Sequence, residues 1–192
     1  MKIAVTRKNI VAALGVAAFS FVVAIVVSMG SEVVVRAVSS LWLSFLFLFF
    51  VILVGVLGDM VGTAAMGSQT APLNAKASSK VFGARQAVKL SKNADKVAVF
   101  CSDIIGDVSG TVSGAIGASI VLSITKVVKP SPGEALLIGA GMTSLIAAIM
   151  IGGKALGKSI ALTEANEILF WVARILAWWE DTTGWAILEK RR

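Results

Sequence analysis

Four stretches of the chain run long and nearly free of charge, and polar or basic segments separate them. They span residues 10–28, 41–67, 97–124 and 135–153. A membrane helix needs about 20 apolar residues to cross a hydrocarbon core of roughly 30 Å, so each reads as a transmembrane helix. The second opens with LWLSFLFLFFVILVGVLG and continues into a smaller, more polar end. Asn93 stands where an N-cap for the third would sit, and Pro130, Pro132 and Gly133 break the chain before the fourth. No small-x-small cleavage site follows the first run, which therefore reads as a retained helix.

The remaining segments have a different pattern. Residues 68–95 are polar and interrupted by Pro72 and Gly83, which predicts short amphipathic helices at the cytoplasmic membrane surface. Residues 160–188 hold four of the five tryptophans, Trp171, Trp178, Trp179 and Trp185. Glu167, Arg174 and Glu180 interrupt that apolar run, so it predicts an interfacial helix more than a fifth crossing. The fold class expected is an all-α integral membrane protein, one membrane domain over residues 1–192.

Composition narrows the picture. Of the 192 residues 57% are hydrophobic and only 15% charged, with a mean hydropathy of +0.88. A water-soluble domain has no means of hiding so much apolar surface. The net charge of +7 is concentrated in the N-terminal residues, in Lys76 to Lys96, at Lys154 and Lys158, and in Lys190, Arg191 and Arg192. In so apolar a chain these are orienting charges, with no nucleic acid implied. Four crossings place them on one side, so both termini are expected in the cytoplasm of a multi-pass plasma-membrane protein. Histidine is absent and Cys101 is the single cysteine. That excludes imidazole relays, zinc clusters and intramolecular disulfides, and leaves only hard cations with oxygen ligands.

Candidate chemistry lies in the third span, within CSDIIGDVSGTVSGAIG from Cys101 to Gly117. On a regular α-helix Asp103 and Asp107 stand about 40° apart, with Gly110 and Gly114 on the same stripe and Gly106 beside it. Such spacing predicts close approach of a second helix, with the carboxylates facing the contact and the hydroxyls of Ser109 and Ser113 flanking it. Asp107 would lie roughly 16 Å along the helix from Lys96. An ionised acid that deep is unfavourable by about 2.5–3.5 kcal/mol on insertion scales, so something must offset it. The four spans hold no lysine or arginine, which argues against a buried salt bridge and leaves protons or a bound cation. Asp59 and Thr63 in the second span extend the oxygen set. Blander readings stand beside this one: Asp59 as a helix-end marker, Asp103 as a first-turn acid complementing the helix dipole, and Asp107 as a neutral, hydrogen-bonded acid.

Taken in order, these features resemble a known family. A long apolar helix ends in Gly58-Asp59-Met60-Val61-Gly62-Thr63-Ala64, the basic segment LNAKASSKVFGARQAVKLSKNADKVA follows, and the next span carries Gly106-Asp107. This order is similar to the transmembrane domain of the CNNM/CorC magnesium transporters, over roughly Leu41 to Gly153. There a helix ending in a Ser-x-x-Glu-x-Ala-like motif leads through cytoplasmic helices to a helix with a Gly-Asn motif. The resemblance implies three core helices, homodimerisation and a magnesium site on polar residues of those helices. Asp59 and Thr63 match the first motif by position and Asp107 the asparagine of the second. Gly62 stands at the family's glutamate position, and the family's cytoplasmic CBS modules are not in this sequence, which implies a relative without nucleotide regulation.

The expected function is therefore transport of a divalent cation, magnesium first, across a lipid bilayer, with Asp59, Thr63, Ser102, Asp103, Asp107 and Ser109 as ligands and no enzymatic activity. One alternative is a non-transporting scaffold packed through its glycines. Another is a metal-dependent phosphatidyltransferase of the CDP-alcohol type, suggested by Asp103-x-x-x-Asp107. That signature also needs a preceding Asp-x-x-Asp-Gly-x-x-Ala-Arg string, which the chain does not contain.

Overall fold

The computed structural model describes residues 7–37 and 40–184, and among them every regular element is helical. Lys2, Trp185, Lys190, Arg191 and Arg192 lie outside the described residues. The helices are α1 (Arg7–Ala37), α2 (Leu41–Gly67), α3 (Thr70–Ser78), α4 (Ala84–Lys92) and α5 (Ala94–Ala98). A π-helical segment, Val99–Gly106, leads into α6 (Asp107–Val128), followed by α7 (Pro132–Thr163) and α8 (Ala165–Thr183). Four helical stretches are long and apolar enough to cross a membrane: Ala13–Ser31, Leu41–Gly67, Ala94–Val128 and Pro132–Thr163. The chain is an all-α membrane protein. Its outward apolar side chains fit that medium: Leu46, Phe49 and Phe50 on α2 and Leu136, Leu137 and Ile151 on α7 are all exposed.

The described residues fall into two compact units. One combines the described residues up to Ile52 with Val108–Ala147, and the other combines Leu53–Asp107 with the described residues from Ala148 onward. In the first, α1 keeps its apolar window wholly unburied, as a helix that is apolar all round does when lipid surrounds it. The buried residues of α6 run along Val108, Val112, Ile116 and Ile120, beside a stripe of small residues, Ser109, Ser113 and Gly117. A Cβ on Gly117 would meet the Cδ1 tip of Ile146 on α7.

That stripe differs from the expected one. Asp103 and Asp107 are exposed, and Gly114 faces open space. Two causes act together. The π-helical segment turns the chain less per residue than an α-helix, so a face drawn with 3.6 residues per turn does not run through it unbroken. Beyond it, Val108, Val112, Ile116 and Ile120 take the buried face of α6 that the glycine stripe is expected to hold.

The second unit has a small core of its own. Leu73 of α3, Ala84, Ala87 and Leu90 of α4, and Leu169 and Ala173 of α8 are buried together. Helix α8 shows why: Leu169 and Ala173, one turn apart, face this core and Ala177 a turn further on is buried too, while Trp171, Ile175, Trp178 and Trp179 stay exposed. Lys76 ties α3 to α8 through Glu167 at 2.6 Å and lies 4.4 Å from the ring centre of Phe170.

Several helix ends depart from the sequence reading, among them those of α1, which runs Arg7–Ala37 where residues 10–28 are expected. Asn93 does not cap α5 with its side chain; its Nδ2 donates to the Lys89 carbonyl at 2.9 Å and so closes α4. Helix α7 starts on a reciprocal cap, with Ser131 N–H donating to Glu134 Oε2 at 2.8 Å, Glu134 N–H donating to Ser131 Oγ at 3.5 Å, and Pro132 as the first helical residue. Its far end is the larger difference. The helix runs on to Thr163 instead of stopping at Gly153, because Lys154 and Lys158 find carboxylates and need not leave the bundle.

Candidate charge-paired site

The site belongs to the second unit, and glycines make it possible. On α2, Gly58 and Gly62 lie against the π-helical segment: a Cβ on Gly58 would sit 2.8 Å from the Cys101 carbonyl oxygen, and one on Gly62 would strike Ser102 Oγ. On α7, Gly153 and Gly157 lie against Val56 and Met60 of α2. Small residues thus let three backbones approach closely, which is how membrane helices associate without a hydrophobic force between them. Cys101, the single cysteine, is free and half-buried beside it.

Within this contact Asp59 is only 4% exposed. Its Oδ2 lies 3.4 Å from Lys158 Nζ yet has no hydrogen-bond partner, an ion pair without an aligned N–H. Ser102 Oγ donates to the Asp59 backbone oxygen at 3.3 Å, not to the carboxylate. Thr63, one turn further along α2, is half-buried. One turn before Lys158 on α7, Lys154 Nζ donates to Asp107 Oδ1 at 2.9 Å. The same Nζ lies beside Gly106, 3.6 Å from where a Cβ there would be.

The two ion pairs are opposite in burial. In Asp59–Lys158 the acid side chain is 6% exposed and the lysine 53%; in Asp107–Lys154 the acid is 72% exposed and the lysine 22%. Each pair therefore has one charge held inside and one open to the surroundings. A buried carboxylate so close to an ammonium is compensated, and removing either partner would leave the other unbalanced.

Of the sequence-derived ligands, Asp59, Thr63, Ser102, Asp103 and Asp107 all fall in this unit. Asp103 lies exposed on the π-helical segment, and its carboxylate forms no hydrogen bond or ion pair with a described residue. Ser109 belongs to the other unit, buried in the small-residue stripe with its carbonyl accepting from Ser113 Oγ at 2.7 Å. Among the described residues no three cysteine, aspartate or glutamate side chains gather as a metal-holding group. The structure instead pairs these carboxylates with Lys154 and Lys158, which corrects the expectation that the buried acids find no lysine partner.

The lysines had a signal in the sequence. Gly153-Lys154-Ala155-Leu156-Gly157-Lys158 repeats Gly-Lys at a four-residue step, one helical turn. The glycines of that repeat pack on α2 and the lysines reach the acids. No protein-family model matches the chain, and neither a curated protein nor a solved structure matches it.

Proposed function

We propose that the protein is a membrane transporter for a cation, magnesium first among candidates, in which Asp59 and Asp107 bind the cargo and Lys154 and Lys158 stand in for it between loads. The carrying observation is the pair of carboxylate–ammonium contacts inside an apolar helical protein, with Asp59 Oδ2 buried and lacking a hydrogen bond. Ionisable residues within membrane spans are expensive, and they mark ion pathways and relays. Two lysines carry the charge of one divalent ion. A divalent cation that displaces both from the two aspartates leaves the net charge of the site unchanged, and return of the lysines helps release it. Hydroxyls of Ser102 and Thr63 and the carboxylate of Asp103 are the further oxygens within the unit, a donor set suited to a hard cation. The likeness to the CNNM/CorC membrane domain supports the same cargo, a homodimer and a plasma-membrane setting with cytoplasmic termini.

Purified protein in proteoliposomes tests this through magnesium flux. Asp59→Asn and Asp107→Asn should each lower the flux at least about tenfold while the detergent-solubilised protein keeps its helical content and elution volume. Flux equal to the unaltered protein in both variants would remove the proposal.

One observation favours a second reading, a non-transporting scaffold: the acids are already compensated, so the ion pairs need only lock helices together. A joint Asp59→Asn and Lys158→Met change separates the two. A scaffold tolerates the neutral pair, with unchanged localisation and growth, whereas a transporter loses flux.

A further inference from the structure

A second polar feature lies in the same unit but takes no part in the paired charges. The turn between α3 and α4 and the end of α8 border an open cleft of about 300 Å³ lined by Lys80, Val81, Phe82, Arg85, Gln86 and Asp181. Neither Lys80 nor Arg85 forms an ion pair with a described residue, and both are exposed. Gln86 is committed elsewhere, its Nε2 donating to Glu180 at 2.9 Å.

The turn that presents these groups is fixed. Lys80 N–H donates to the Ala77 carbonyl and Val81 N–H to the Lys76 carbonyl, both at 3.1 Å, the paired bonds that close a helix through a left-handed residue. That residue is normally glycine, yet here Lys80 adopts φ of 54°. A non-glycine residue in this region is strained, and such strain concentrates at sites that use the side chain. Three residues on, Gly83 takes φ of 83° and presses on α8, where a Cβ would lie 2.9 Å from Arg174 Cα. The turn is therefore clamped to α8, with Val81 and Phe82 exposed beside the cleft.

We infer that this cleft holds the headgroup of a membrane aminophospholipid, its phosphodiester between Lys80 and Arg85 and its ammonium against Asp181. The cleft is dipolar, two cations and one anion, and a zwitterionic headgroup is the matching dipole. Arginine and lysine are the side chains suited to phosphate. The source is the bilayer, not a dissolved zwitterion: exposed Val81 and Phe82 border the cleft, and the open face of α8 carries Trp171, Trp178 and Trp179, residues that prefer the headgroup region. This site is independent of the transport reading.

The test uses the full chain in detergent, with bound lipid counted by native mass spectrometry after addition of phosphatidylethanolamine or phosphatidylglycerol. The unaltered protein should retain phosphatidylethanolamine preferentially. A joint Lys80→Ala and Arg85→Ala change should weaken its retention about tenfold or more, since two charge-assisted contacts are lost. Asp181→Asn should abolish the preference over phosphatidylglycerol. Water-soluble glycerophosphoethanolamine should fail to compete. Retention unchanged in the double variant, a preference unchanged in Asp181→Asn, or competition by the free headgroup would each overturn the assignment. All three residues are exposed, so these variants should fold.

Discussion

At Gly58 a methyl group would meet the backbone carbonyl of Cys101 at 2.8 Å, whereas at Gly117 in the other unit it would meet the Cδ1 tip of Ile146. Both glycines let helices approach, but what fills the approach differs. At Gly117 an apolar side chain enters the space, and the contact resembles an ordinary membrane packing seam. At Gly58 a backbone carbonyl stands in the way instead, next to the buried Asp59 that Lys158 reaches, while Gly62 and Gly153 in the same unit face the side chains of Ser102 and Val56. A side chain that blocks the way can turn aside, while a backbone carbonyl in a helix cannot. The charged unit is thus the less forgiving of the two, and it is also the one that contains the π-helical segment, a feature frequently found at functional sites.

Four single substitutions and one double variant probe that contrast. Lys158→Met should have the largest effect, lowering stability by about 3 kcal/mol in an unfolding titration in mixed detergent micelles, because it strands the buried Asp59 carboxylate. Adding Asp59→Asn to that variant should recover most of the loss; no recovery would mean that the lysine acts through its stem and not its charge. Next, Gly58→Ala should cost about 1–3 kcal/mol in the same titration, since neither the Cys101 carbonyl nor α2 has room to move. Gly117→Ala should cost under about 1 kcal/mol, as Ile146 can adopt another rotamer. An equal cost at both glycines would erase the distinction between the units. Asp107→Asn should change stability least, within about 1 kcal/mol, because its carboxylate is largely exposed. Its expected loss is in flux.

Much of the fold was legible because long apolar runs and their punctuation are strong signals. The second crossing appears with the bounds read from the sequence, the polar segment after it forms the short helices α3 and α4, and α8 carries its tryptophans on an open face. The errors share a cause: a residue type was given its commonest role. Lys154 and Lys158 were read as charges beyond the end of a span, although their partners lie far away in sequence at Asp107 and Asp59. Asn93 stands at the N-cap position of α5, as its place in the sequence predicts, but its side chain closes α4. The glycine face of the third span assumed α-helical geometry throughout, and a π-helical turn leaves no mark in periodicity that the eye can follow. The Ser131–Glu134 cap is written in Ser-Pro-Gly-Glu, where the proline opens the first turn of the helix and does not break it.

The lysine spacing on α7 has a mechanical consequence. Lys154 and Lys158 are separated by roughly 6 Å of rise and 40° of turn on one stiff rod. Rolling that rod about its axis to withdraw one amine swings the other through the same arc. Asp59 and Asp107 are in this sense geared together: neither can lose its lysine by movement of the helix alone without disturbing its counterpart.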